Sequence, residues 1–68
     1  MSDNELSMTI VNIRDRLSPI LQEIYLLRKH SYFTNNAEEL AELLSTFTFA
    51  DAIHCRLSNL LKLIKENQ

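Results

Sequence analysis

Apolar residues recur along this chain at alternating intervals of three and four, and this spacing constrains the fold more than any other feature of the sequence. The first series is Leu6, Ile10, Ile13, Leu17, Ile20, Ile24 and Leu27; the second is Leu40, Leu43, Phe47, Ala50, His54, Leu57, Leu61 and Ile64. Such a repeat places all members of a series on one seam of an α-helix. It predicts two long helices whose paired seam is centred on Leu17, Ile24, Phe47, His54, Leu57 and Leu61.

The absence of glycine supports an all-α fold, because the tight turns of β-hairpins depend on residues with positive φ. We expect an antiparallel helical hairpin with helices over about 4–30 and 37–66, forming one domain over residues 1–68. Ser2 with Glu5, and more weakly Asn36 with Glu39, fit the capping-box pattern of a helix start. The polar and aromatic segment 30–36 is the expected connector.

Two positions favour interruptions of these helices. Pro19 lies inside the first helix, where proline costs about 3 kcal/mol, and Ser18 before it could cap a new helix. We therefore expect a kink near Pro19. Residues 45–49 are β-branched or aromatic apart from Ser45, which weakens helix propensity. The spacing continues through them and favours one unbroken helix; the alternative is a domain of three or four helices broken near Phe47.

Several classes of protein do not fit this composition. One cysteine, Cys55, cannot form an internal disulfide, which favours a reducing, cytoplasmic location. No apolar run approaches the roughly 20 residues of a membrane span, and the acidic N-terminus does not resemble an export signal. Seven basic against nine acidic residues give a net charge of −2, which argues against direct binding of nucleic acid.

The sequence offers no evident catalytic, cofactor or metal site. Phosphate-binding loops depend on glycine, which the chain lacks. His54 and Cys55 are adjacent, so on a helix their side chains point about 100° apart and cannot share a metal ion. We therefore expect a protein that is not an enzyme and carries no cofactor, with His54 serving as a seam residue.

Each predicted helix carries more apolar side chains than one seam can cover. In the first helix Val11, Leu21 and Tyr25 form a second line beside the seam. Aligned apolar surface of this kind marks interaction sites. We expect a homodimer that forms a four-helix bundle, or docking onto a larger helical protein. The candidate partner-binding residues are Tyr25, Phe49, Ile53, Leu60 and Leu63.

Parts of the chain resemble a known bacterial family. The segment 16–24, the Asn35-Asn36 connector, and the leucine-rich segments 40–44 and 60–64 resemble the layout of the AriR/YmgB family. That resemblance covers about fifty residues and implies a small helical dimer that acts as a regulatory connector in two-component signalling or transcription. The uninterrupted hairpin is also similar in length and architecture to YscE-type co-chaperones of type III secretion, which bind a larger helical chaperone.

Two functional hypotheses follow from these resemblances and from the surplus apolar surface. The first is a cytoplasmic bacterial regulator or adaptor that dimerises and acts through protein–protein contacts. The alternative is a co-chaperone whose apolar surface covers a client or a second chaperone.

Overall fold

The computed structural model describes residues 2–67, of which 89% are helical and none lies in a strand. The prediction of an all-α fold is therefore confirmed. The three helices are α1 (Asp3–Leu27), α2 (Ser31–Thr34) and α3 (Ala37–Glu66). The two ends of the predicted domain, Met1 and Gln68, lie outside the described residues.

The two long helices lie side by side and run in opposite directions. Ser18 of α1 contacts His54 of α3, and Tyr25, two turns further along α1, contacts Phe47, two turns earlier on α3. The described residues extend over 51 × 15 × 14 Å. Because an α-helix with its side chains is about 10–12 Å across, this cross-section leaves no room for a third layer.

Helix α1 begins as its sequence predicts and continues through its proline. The Ser2 hydroxyl accepts a hydrogen bond from the Glu5 backbone N–H at 3.2 Å, which is the predicted N-cap. Pro19 lies inside α1 and starts no new helix. Ser18 does not cap a helix either, since its hydroxyl is directed to His54 on α3.

Helix α1 ends at Leu27, three residues before the predicted end. The N–H groups of Arg28, Lys29 and His30 each bond to the carbonyl three residues earlier, at 2.9–3.3 Å, so the last turn tightens and the α-helix stops. Residues 31–34 of the predicted connector then form the single turn α2. The Nδ1 atom of His30 accepts the Tyr32 N–H at 3.1 Å and caps this turn.

Helix α3 begins and ends at the predicted residues and is continuous through 45–49. The hydroxyls of Thr46 and Thr48 donate to the carbonyls of Glu42 and Leu44, four residues earlier, at 2.8 and 3.0 Å. These bonds accommodate both threonines within the helix. The weaker capping box is not formed: Asn36 makes no cap bond and instead donates from Nδ2 to the Tyr32 carbonyl at 2.6 Å.

Helix α1 is rotated relative to the predicted seam. The least exposed side chains of α1 include Ile10 and Leu21, at 7% and 8% exposure. Ile10, Leu17 and Ile24 belong to the predicted seam, but its other four residues are exposed. The seam instead includes the residue following each of these four. The exposed residues are Leu6, Ile13, Ile20 and Leu27; the seam residues that replace them are Ser7, Arg14, Leu21 and Arg28.

Two contacts across the helix pair account for this rotation. Tyr25 packs against Phe47 with ring centroids 5.2 Å apart and ring planes tilted by 47°, and Ser18 hydrogen-bonds His54 at 3.1 Å. Ser18 and Tyr25 each come one position after a seam residue, Leu17 and Ile24 respectively. Their contacts with α3 therefore turn the side of α1 that carries Ser18 and Tyr25 towards α3. The opposite side of α1, which carries Leu6, Ile13, Ile20 and Leu27, turns towards solvent. The prediction that Leu21 lies outside the seam was therefore wrong.

Candidate protein-interaction surface

The six predicted central seam residues belong to the less exposed rows of α1 and α3. Each is half-buried, and none reaches the low exposure of Ile10 or Leu21. In a pair of helices with no third layer, most seam side chains keep one edge in water. The six are Leu17, Ile24, Phe47, His54, Leu57 and Leu61.

Beside the seam lies a line of exposed apolar side chains that we call the apolar flank. Its members precede a seam residue by one position in both helices. Because the helices are antiparallel, these positions lie on the same side of the pair. A groove of about 350 Å³ joins the two halves of the flank, with Ile13 and Ile20 on one wall and Ile53 on the other. The flank comprises Leu6, Ile13, Ile20 and Leu27 of α1 and Phe49, Ile53, Leu60 and Leu63 of α3.

The apolar flank is well exposed to solvent. Phe49 is 74% exposed and Ile53 is 54% exposed, although both are large apolar side chains. The opposite side of the helix pair is more polar: α3 presents Thr48, Asp51 and Ser58 there, together with Leu44. Exposed apolar side chains are ordinary when scattered, whereas a continuous line of them on one side marks an interaction surface.

Four of the five predicted partner-binding residues lie on the apolar flank, namely Phe49, Ile53, Leu60 and Leu63. The fifth, Tyr25, lies on the opposite side of the pair. Its ring packs against Phe47, and the Arg28 guanidinium lies 4.1 Å from the ring centroid. These contacts give Tyr25 a role in holding α1 against α3.

Sequence reasoning missed the contribution of α1 to this surface. Leu6, Ile13, Ile20 and Leu27 were assigned to the seam because aliphatic residues seven apart are typical of one. The sequence does contain a signal for the observed seam. Residues 7, 14, 21 and 28, together with Ile10, Leu17 and Ile24, also recur at alternating intervals of three and four. The hydrophobic pattern alone favours the more apolar row, and the structure uses the other.

The remaining polar side chains form no evident reactive site. The Nε2 atom of His54 lies 3.1 Å from the Ser18 hydroxyl, and which of the two donates depends on the tautomer. Cys55 is a free, exposed thiol. Between Ser2 and Asn67, no group of three or more His, Cys, Asp or Glu side chains is arranged to hold a metal ion.

An acidic groove lies where α2 meets the start of α3. It has a volume of about 380 Å³, with Phe33 and Leu43 among its apolar lining residues. Glu39 and Glu42 also line it and lie on the same side of α3 as the apolar flank, two turns and one turn before Thr46, respectively. The connector end of the flank is therefore acidic.

No helix among residues 2–67 is both long enough and apolar enough to cross a membrane. In comparisons with known proteins, no family model, curated protein or solved structure matches this chain significantly.

Proposed function

We propose that this chain is a non-enzymatic helical adaptor that folds as an antiparallel hairpin and works as a homodimer. The apolar flank would form the contact between the copies and give a four-helix bundle. The observation that carries the proposal is the flank itself, a line of eight exposed aliphatic and aromatic side chains on one side of the molecule. Burial of apolar surface is the main favourable term in protein association, so a second copy would cover what one chain leaves in water.

The small core supports the same proposal. Among the described residues only Ile10 and Leu21 are buried. Domains of this length bury a smaller fraction of their surface on folding than larger domains do, and are marginally stable alone. Covering Ile13, Ile20 and Ile53 by a second copy would supply apolar burial that the single chain lacks. The same requirement could be met by a larger helical protein, which is the co-chaperone alternative.

A regulatory role is the preferred biological setting for this adaptor. The layout of segments 16–24, 40–44 and 60–64 resembles the AriR/YmgB family, whose members are helical dimers that connect to bacterial signalling and transcription. The proposed location is the cytoplasm, where the exposed thiol of Cys55 would remain reduced. The partner would be a protein contacted through the dimer surface.

The oligomeric state tests the proposal. We expect the purified chain to sediment as a dimer in the micromolar range. Ile53→Asp places a charge at the centre of the flank and should shift sedimentation towards monomer. Ala52→Asp adds the same charge one residue away, on the exposed outer face of α3, and should leave the dimer intact.

Two further results would decide between the hypotheses. If Ile53→Asp loses its helical circular dichroism, Ile53→Gln provides a milder change in which dissociation should precede unfolding on dilution. A compact monomer at every concentration would contradict the homodimer. A lone chain that is poorly helical and aggregates, yet becomes ordered with a larger helical protein, would favour the co-chaperone.

A further inference from the structure

The charges on the apolar flank are segregated along its length. Glu39 and Glu42 lie near the connector, and Glu23 lies level with Phe49. Arg16 lies level with Arg56 in the half nearer the chain termini. These levels follow from the Ser18–His54 and Tyr25–Phe47 contacts, which fix how α1 is aligned along α3. One half of the flank is therefore acidic and the other half is basic.

These charged side chains are available to a partner. All five are exposed, and within residues 2–67 the one ion pair joins Arg14 to Asp15 at 3.4 Å, away from this group. Arg16 uses its Nε atom to donate to the Asn12 carbonyl at 3.3 Å, which leaves its terminal nitrogens for other acceptors. The group comprises Arg16, Glu23, Glu39, Glu42 and Arg56.

A second copy can cover the flank in two symmetric ways. If the long axes point in the same direction, α1 lies on α3 of the other copy, so like charges meet and Arg16 faces Arg56. If the long axes are reversed, α1 lies on α1 and α3 on α3, so the basic half of each copy faces the acidic half of the other. Like-charge contacts at an interface are unfavourable, and complementary ones fix its orientation.

We propose that two copies pair through the apolar flank with their long axes reversed, so that Arg16 of each faces Glu23 of the other. This inference rests on the proposed homodimer and adds its orientation. The two-fold axis then passes near Ile20 and Ile53, which line the groove joining the two helices. An aliphatic centre with charged residues around it is the usual arrangement of a specific interface.

A single charge reversal distinguishes the two orientations by the sign of its effect. In the reversed arrangement Arg16→Glu places two acidic groups together, and the symmetry repeats this contact. The dimer dissociation constant at low salt should rise by about three- to tenfold. In the same-direction arrangement the new carboxylate would face Arg56, so Arg16→Glu would tighten the dimer.

Two variants control this measurement. Adding Glu23→Arg to Arg16→Glu restores opposite charges in the reversed arrangement and should return the dissociation constant to near its original value. Lys62→Glu makes the same change in net charge on an exposed residue outside the flank and should change the dissociation constant little. High salt should reduce the difference between Arg16→Glu and the unaltered chain.

Disulfide trapping gives an independent readout. In a Cys55→Ser background, Ile53→Cys lies near the two-fold axis and should form a disulfide-linked dimer when oxidised glutathione is added. Leu63→Cys lies ten residues further along α3, about 15 Å from the axis level, and should not link to its counterpart in the reversed arrangement.

The failure of this inference is distinguishable from that of the homodimer. A chain that is monomeric at all concentrations overturns both. A dimer that Arg16→Glu tightens or leaves unchanged, or one that Leu63→Cys links and Ile53→Cys does not, overturns the orientation alone.

Discussion

Replacing Leu21 by alanine tests where the core of this molecule lies. Leu21 is 8% exposed, so almost the whole side chain leaves water on folding. Leu→Ala removes three carbon atoms, worth about 2 kcal/mol of transfer free energy at ~0.8 kcal/mol per carbon. A cavity term adds to this loss, but neighbours in a pair of helices can move inwards, so we expect a total near the low end of the usual range, about 2–3 kcal/mol.

Leu26→Ala is the matched control for this substitution. Leu26 is the same residue type in the same helix, but it is 55% exposed and lies outside both the seam and the apolar flank. Its loss should stay below ~1 kcal/mol because less than half of the side chain is removed from water. A domain of this size has a total stability of roughly 3–10 kcal/mol, so the Leu21 variant loses a substantial share.

Urea unfolding followed by helical circular dichroism measures both variants. The protein concentration is held constant because dimer formation would contribute to apparent stability. Leu21→Ala should also lower Tm by about 10–20 °C. Equal losses for Leu21→Ala and Leu26→Ala would refute the observed rotation of α1 and favour the seam that hydrophobic spacing alone predicts.

Two further substitutions test the contacts that set this rotation. Ser18→Ala removes the hydrogen bond to His54 and should lower the free energy of unfolding by about 0.5–1.5 kcal/mol more than Ser45→Ala does. Ser45 is the control because it is an exposed serine whose replacement makes the same change in helix propensity. Equal unfolding free energies for the two variants would contradict a stabilising bond. Tyr25→Leu and Phe47→Leu, alone and together, should show a coupling of about 0.5–1.5 kcal/mol in urea unfolding, and additive losses would show that the rings do not interact.

The second helix could be predicted in detail because it offers one row of residues at alternating spacings of three and four. The eight members of that row, together with Ser58, are the half-buried residues of α3. The bounds Ala37 and Glu66 agree with the spacing as well. Continuity through 45–49 follows for the same reason, since a break would have displaced Ala50 and His54 from the row.

The first helix could be predicted only in part because it contains two rows that share Ile10, Leu17 and Ile24. Periodicity selects the more aliphatic row, which includes Ile20. The structure selects the row that includes Leu21, and the cause lies in partners on α3 that no local pattern specifies. The early end of α1 is a second example, because the three tightened hydrogen bonds after Leu27 depend on where the chain must turn to form α2.

The rotation of α1 links the fold to the proposed function. With the predicted seam, Ile13 and Ile20 would have been covered by α3, and the exposed apolar line of α1 would have run on the opposite side of the pair from that of α3. With the observed seam, both isoleucines lie beside Ile53 across a common groove. A partner helix gains more apolar burial from a groove walled by two helices than from a line on one helix, because side chains on both walls lose water at once. The Tyr25 and Ser18 contacts, which lie on the far side of the pair, therefore help to build the surface on which association depends.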